Sequence, residues 1–294
     1  AGDPNSINSE IISKTWKKKT SLNNKNIFVI GSYDLINLQL KKIKSNISLK
    51  KITTLDSQNF KKKLLIFDVP LKFKDPFNVS KKNKHKYIMR CFRLAINFSK
   101  KKKVLGFINC PINKSDIFGN KTIGVTEYLA KKENKYGKEV MLIYNKKLAV
   151  SPITTHIQVK KISRVLNAKL IINKLITIDK FYRKNFYIKP RIGLLGLNPH
   201  NYEFRKNSEE LKIIIPALKK LKKININVNG PLSGDTAFTN YEKKKINVLV
   251  GMYHDQVLSP FKTIFKFNAI NITLGLPYIR VSPDHGTGQD IIKK

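Results

Sequence analysis

The chain has 294 residues, 41% of them hydrophobic, and a formal net charge of +39. That length allows one large or two ordinary domains around a sizeable core. Its apolar runs of a few residues fall far short of the roughly 20 needed to cross a bilayer, so no membrane span is expected, and the opening AGDPNSINSE has neither a basic nor an apolar signal region, so a cytoplasmic protein is expected.

In chain order, short runs rich in Val, Ile and Leu at 26–30, 63–68, 104–109, 139–144, 191–195 and 247–252 predict strands. Longer amphipathic stretches at 9–18, 33–44, 84–100, 125–132, 160–181 and 208–223 predict helices. Their alternation is the signature of a parallel sheet covered by helices, so the predicted fold class is α/β. In the last helix Ser208 can cap free amides and Glu209 and Glu210 complement the dipole of the first turn, whereas Pro216 predicts a kink or break. A strand-like NINV follows, before Gly230 and Pro231. Cys91 and Cys110 sit in apolar stretches without CxxC spacing and read as buried reduced thiols. His85, in KKNKHKY, reads as a solvated residue at a helix start.

The charge by itself would suit a polyanion binder. Only seven of the 58 basic residues are Arg, however, and the Lys runs near 17–19, 61–63, 100–103 and 243–245 are scattered. Base reading and bidentate phosphate grip favour Arg. Lys, Asn and Ile are abundant together, which points to drift toward A- and T-rich codons, so only nonspecific nucleic-acid affinity is expected. Neither GxGxxG after a strand nor GxxxxGK[ST] occurs, so a dinucleotide must be held without a Rossmann fingerprint or a P-loop.

Three of the five histidines, His156, His200 and His254, close segments that leave strands or join elements: TTH, GLNPH and GMYH. A strand ending in His at its carboxyl end is where an open α/β sheet presents ligands to a crevice. Three neutral imidazoles leave positions open on a divalent ion, which is the catalytic pattern. Sequence spacing proves no contact, and each His could instead be a hydrogen-bonded structural residue. Asp235 and Asp255 can accept from the rings and orient them, or cap a turn. In PDHGTGQD, Gly286 and Gly288 after His285 would let backbone amides approach an anion or an adenosine group, or form a plain turn.

Taken in order, AGDPNSINSE, FINCPINK, TIGVTEYLA, ITTHIQVKKI, GLNPH, NGPLSGDTAF, MYHDQ, LSPFK and NITLGLPYIRVSPDHGTGQDI resemble the segments of the 4-hydroxythreonine-4-phosphate dehydrogenase family from end to end. The resemblance implies two α/β/α domains with an interdomain cleft, as in isocitrate and isopropylmalate dehydrogenases, with 1–120 and 265–294 forming the first and 121–264 the second. It implies a homodimer with shared active sites, NAD or NADP as cofactor, and one divalent ion (zinc, cobalt, magnesium or manganese) on His156, His200 and His254. It also implies a phosphorylated hydroxy amino acid as substrate, contacted by Thr126, Lys262, Asn271 and Arg280, and cofactor contacts at His285, Gly286, Thr287 and Asp290.

Two departures stand out. Val125 replaces the family's substrate-contacting His, and an aliphatic side chain can neither donate a hydrogen bond nor carry a proton. The Gly-rich HAGEGG reads here HNYEFR, so Phe204 and Arg205 penalise any positive-φ backbone in that loop. The chain also starts on the AGDP segment and stops at DIIKK, where the family continues through a further helix, as a fragment or an eroding gene would.

Overall fold

A computed structural model describes residues 2–18, 26–56, 63–119 and 124–292. Lys19, Lys61 and Lys62 of the lysine-rich runs, and Thr122 and Ile123 of TIGVTEYLA, lie outside the described residues. The chain divides into two compact units, Ala1–Thr122 with His285–Lys294, and Ile123–Asp284.

The first unit contains a parallel three-stranded sheet, β1 (Phe28–Gly31), β3 (Leu64–Asp68) and β2 (Leu49–Ile52), with β3 in the middle. Helices α1 (Asn8–Lys17) and α2 (Tyr33–Lys42) place Ile12, Trp16, Ile36 and Leu40 against Leu64 and Ile66. Ser32 caps α2 by accepting from Leu35 N. Phe98 of α3 (Lys81–Lys100) meets the rings of Phe28 and Phe67. Strand β4 (Gly106–Ile108) and helix α4 (Lys114–Phe118) complete the unit. Cys91 is buried and Cys110 half-buried, both as free thiols, and burial pushes both up from the usual thiol value. His85 is exposed on α3.

The second unit opens with α5 (Val125–Lys132) and is built on strands β5 (Val140–Tyr144), β6 (Ala149–Thr154), β7 (Ile192–Leu195), β8 (Val228–Leu232), β9 (Val248–Tyr253), β10 (Ile270–Leu274) and β11 (Ile279–Pro283). They lie in the order β11-β10-β5-β6-β9-β7-β8. The run β6-β9-β7-β8 is parallel, while β5, β10 and β11 join antiparallel. Both faces are covered. Val140 and Leu142 of β5 and Val248, Val250 and Met252 of β9 pack under α7 (Ala168–Asn185) and α8 (Ile215–Lys223). Met141, Ile143 and Leu249 face α9 (Gly234–Asn240) and α10 (His254–Phe265). Burial on both faces is why these strands read as continuous apolar runs rather than alternating ones.

Several elements escaped the sequence pattern. Strand β6 contains Pro152, which argues against a central strand. Here Ala149 N donates to Asn247 O beside β9, so by alternation the missing Pro152 N–H would face β5, whose ladder has already ended at Val150. The helix expected over 160–181 breaks before Asn167, whose side chain accepts from Leu170 N, giving a short α6 (Ile162–Val165) and the longer α7. Over 208–223 the helical run is continuous, widening at Glu210–Ile214 just ahead of Pro216 before it continues as α8, so the expected kink or break takes the form of a widened turn. The expected return to the first domain at residue 265 differs from this division, since β10 and β11 are hydrogen-bonded into the sheet of the second unit through β5. Among the described residues no helix is long and apolar enough to cross a membrane.

Candidate active site

His156, His254 and His200 follow the carboxyl ends of β6, β9 and β7, three adjacent parallel strands. His156 comes two residues after β6, whose Thr154 donates through Oγ1 to Met252 O of β9 at 2.7 Å. His254 is the first residue of α10 rather than part of a loop. Two residues on, Gln256 spans the gap where β7 and β9 part: its Nε2 donates to Gly196 O (2.7 Å) and its Oε1 accepts from Met252 N (2.6 Å). The path from β7 to His200 is held by Glu210, whose Oε1 accepts from Leu197 N (2.8 Å) and Asn198 N (2.9 Å). Burial acts to raise the Glu210 carboxyl, but these hydrogen bonds win and hold it below the usual carboxylate range.

Each of the three imidazoles turns Nδ1 toward a carboxylate. His254 Nδ1 lies 2.6 Å from Asp255 Oδ1, His156 Nδ1 3.3 Å from Glu127 Oε1, and His200 Nδ1 4.0 Å from Asp235 Oδ2. That leaves the Nε2 atoms as donors to a cation, the pattern in which carboxylates orient metal-bound histidines. The rings of His156 and His254 are 5.7 Å apart between centroids, close to the roughly 5 Å that two imidazoles on one tetrahedral ion require. His200 stands apart with its side chain 76% exposed. Among the described residues no three His, Cys, Asp or Glu side chains are gathered into a complete metal-holding group. The three imidazoles fit a divalent ion in kind, with His156 and His254 near each other and His200 on an exposed turn.

That turn is unusual. His200, Asn201, Tyr202, Glu203 and Phe204 all have φ between 48° and 57°, a left-handed run that L-residues resist at roughly 1–2 kcal/mol each. Asn201 anchors it by donating to Pro231 O, and Arg205 ties it by bonding Glu203 and stacking over Tyr202. The expected penalty falls on Phe204 and also on Tyr202, but not on Arg205, which has returned to φ −60°. Phe204 is 44% exposed, so little burial opposes its removal. Phe204→Gly is expected to stabilise the chain by about 0.5–1 kcal/mol, strain relief outweighing glycine's entropy in the unfolded state. A thermal unfolding midpoint unchanged or lowered would contradict this strain.

Beside the histidines, Thr126 Oγ1 lies 3.2 Å from Thr273 Oγ1, to which Arg280 Nη1 donates at 2.9 Å. Thr273 and Arg280 face each other across β10 and β11. Arg280 is 3% exposed, and burial brings its guanidinium down to about 10, with Glu127 and Tyr278 opposing. Val125 is buried as the first residue of α5. Asn271 lies two residues back along β10, and its Oδ1 is buried with no partner among the described residues. Lys262 lies two turns down α10 from His254, about 12 Å along the axis, where it pairs with Asp284 Oδ2 at 3.1 Å. Thr126 and Arg280 therefore meet through Thr273, while Lys262 and Asn271 sit further along their elements.

The His285 segment belongs to the first unit. His285 Nδ1 lies 2.9 Å from Gly286 O, Thr287 O accepts from Ile7 N, and Gly288 takes φ 58° ahead of the turn containing Asp290. The space around Gly286 is open.

Sequence reasoning missed Glu127 and Gln256 although both lie inside quoted segments, VTEYLA and MYHDQ, and it read Glu210 only as a complement to a helix dipole. The signal available was the position of each acid or amide beside a residue already singled out.

The family profile described as pyridoxal phosphate biosynthetic protein PdxA matches residues 23–294. The chain belongs to the PdxA family. Among curated PdxA relatives, the 4-hydroxythreonine-4-phosphate dehydrogenase of Sulfurihydrogenibium sp. (strain YO3AOP1) is 38% identical over all of this chain and 90% of its own length. The D-threonate 4-phosphate dehydrogenase of Salmonella typhimurium is 32% identical over 99% of this chain and 90% of its own. The crystal structure of a 4-hydroxythreonine-4-phosphate dehydrogenase from Klebsiella pneumoniae aligns with a TM-score of 0.86 at 32% identity, covering 99% of this chain and 90% of that one. Membership of PdxA makes the chain a dehydrogenase with an α/β fold.

Proposed function

We propose that the chain oxidises 4-hydroxythreonine 4-phosphate, with NAD or NADP accepting hydride, to 2-amino-3-oxo-4-phosphooxybutanoate. This β-keto acid then loses carbon dioxide to give 3-amino-2-oxopropyl phosphate on the route to pyridoxal phosphate. The observation that carries the reading is the placement of His156, His254 and His200 after three adjacent parallel strands in a PdxA-family dehydrogenase.

In this reading the three histidines hold one divalent ion, zinc, cobalt, magnesium or manganese. Such an ion, when bound, supplies Lewis-acid polarisation that lowers the pKa of the substrate hydroxyl. Asp255 and Glu127 hold the Nδ1 sides of the His254 and His156 rings, and Asp235 faces that of His200 at 4.0 Å, so the Nε2 sides remain available. Arg280, fixed by Thr273, offers a planar pair of donors to an anionic group of the substrate, and Thr126 adds a hydroxyl beside it. Lys262 and Asn271 complete the substrate contacts, Lys262 as a point charge for the phosphate and Asn271 through its unpartnered amide oxygen. His285, Gly286, Thr287 and Asp290 contact the nicotinamide cofactor, and the enzyme works as a homodimer whose sites draw on both copies.

The buried Val125 favours a second reading. An apolar side chain there removes one polar discriminator between related phosphorylated substrates, and one relative is named as a D-threonate 4-phosphate dehydrogenase. Parallel assays of 4-hydroxythreonine 4-phosphate and of threonate and erythronate 4-phosphates, each with NAD and NADP before and after chelation, separate the readings. The expected result is reduced cofactor from 4-hydroxythreonine 4-phosphate alone, abolished by chelator and restored by a divalent ion. Greater turnover of threonate or erythronate phosphate would establish the second reading, and inactivity on all three would mark a degenerate relative.

A further inference from the structure

Glu127 is the third residue of α5, in the turn where a carboxylate is favoured by free amides and the helix dipole. It is 7% exposed. Its Oε1 lies 3.3 Å from His156 Nδ1 and accepts from Thr155 Oγ1 at 3.3 Å, so two consecutive residues after β6 converge on one oxygen. Its Oε2 is buried without a hydrogen-bond partner among the described residues. A Cβ on Gly124 would come within 2.7 Å of that oxygen, so the carboxylate needs glycine at the position before the helix. The buried cations Arg280 and Lys174 both feel its charge.

A carboxylate placed only to cap α5 would bond backbone amides, and one placed only for charge balance would contact Arg280 or Lys174. Beside a bond from the backbone amide of Glu127 itself, the carboxylate bonds Thr155 and one nitrogen of the His156 ring, which capping of α5 alone does not require. An anionic oxygen is solely an acceptor, so the imidazole nitrogen facing it must be the one that carries hydrogen. We propose that Glu127 is a positioning residue that fixes His156 in the Nδ1–H tautomer and in one ring orientation, keeping the Nε2 lone pair for a cation. The inference rests on the metal-site reading above and extends it to a residue on a different element, 29 positions away.

The experiment uses the full chain. Nitrogen NMR of the metal-free protein, at a pH well above the imidazole range, reads the tautomer of His156 directly, and calorimetric titration with zinc alone reads affinity. Expected are hydrogen on Nδ1 in the unsubstituted chain, and zinc binding weaker by about tenfold to a hundredfold in Glu127→Leu together with loss of the tautomer preference. Glu127→Gln, which keeps an accepting oxygen, is expected to retain the tautomer. Hydrogen on Nε2 of His156 in the unsubstituted chain would overturn the proposal. So would a Glu127→Leu protein with unchanged tautomer and affinity. If Glu127→Leu fails to fold, the unsubstituted chain and Glu127→Gln still decide the tautomer. Absence of zinc binding by the unsubstituted chain would instead sink the metal-site reading, while the NMR result continues to judge Glu127.

Discussion

His254→Ala is expected to lower turnover at least about a thousandfold while leaving the fold intact. The Lewis-acid contribution assigned to the site amounts to several kcal/mol, and about 4 kcal/mol corresponds to three powers of ten in rate. Its side chain is 34% exposed and its Nδ1 contacts the neighbouring Asp255 carboxylate, so little packing is lost when the ring is removed. Zinc stoichiometry should fall with the rate, and the thermal midpoint of the metal-free protein should stay within a degree or two. His85→Ala, on the exposed face of α3, serves as the control with no change in either. Turnover within tenfold of the unsubstituted chain would remove His254 from the site and with it the three-histidine reading.

Lys84→Met is expected to destabilise the protein by about 3–5 kcal/mol, because it leaves a buried carboxylate without its cation. Lys84 is 4% exposed and reaches Asp3 Oδ2 at 3.3 Å and Asp116 Oδ2 at 2.8 Å. The Asp3 side chain is wholly buried and also accepts from Asn5 N and Asn113 N, so it joins the opening loop to the segment after β4. Lys84 thus links α3 to both segments. The hydrogen bond from Lys84 is the main reason the Asp116 carboxyl sits below its usual range, with burial opposing it. A carboxyl depressed on folding stabilises at neutral pH, and that contribution is lost as pH falls through the depressed value. Denaturant midpoints at neutral pH check the main expectation. The double variant Asp3→Asn with Lys84→Met should recover much of the loss, since it removes the orphaned charge. A loss below about 1 kcal/mol in the single variant would mean that water reaches Asp3.

Much of the secondary structure was legible locally. The predicted strands at 139–144, 191–195 and 247–252 lie on β5, β7 and β9, because burial on both faces leaves an unbroken apolar signature. Helices such as α2, α3 and α5 were visible because burial on one face leaves apolar residues at helical spacing. The short β2, β10, β11, α4 and α9 escaped, and so did features whose local signal is mixed: β6 with Pro152 at its centre, α10 with Pro260 inside it, and the break at Asn167. In β6 and α10 propensity yields to packing, whereas the break at Asn167 is set locally by the cap its side chain gives Leu170 N.

For the site, the sequence by itself determined the chemical inventory: three histidines at or beyond strand ends, Arg280 and Thr126 nearby in the ordered segments, and no dinucleotide fingerprint. It also carried the family, since ordered segments survive where composition has drifted toward lysine. Only the tertiary structure decided that β6, β9 and β7 are neighbours, which is what brings His156 and His254 to 5.7 Å. It alone showed Glu127 behind His156, Gln256 across the parting strands, and a left-handed turn that leaves the His200 ring exposed. The reason is physical: strand order and the partner of a buried carboxylate are set by long-range packing between segments, and neither leaves a period in the residues that carry it.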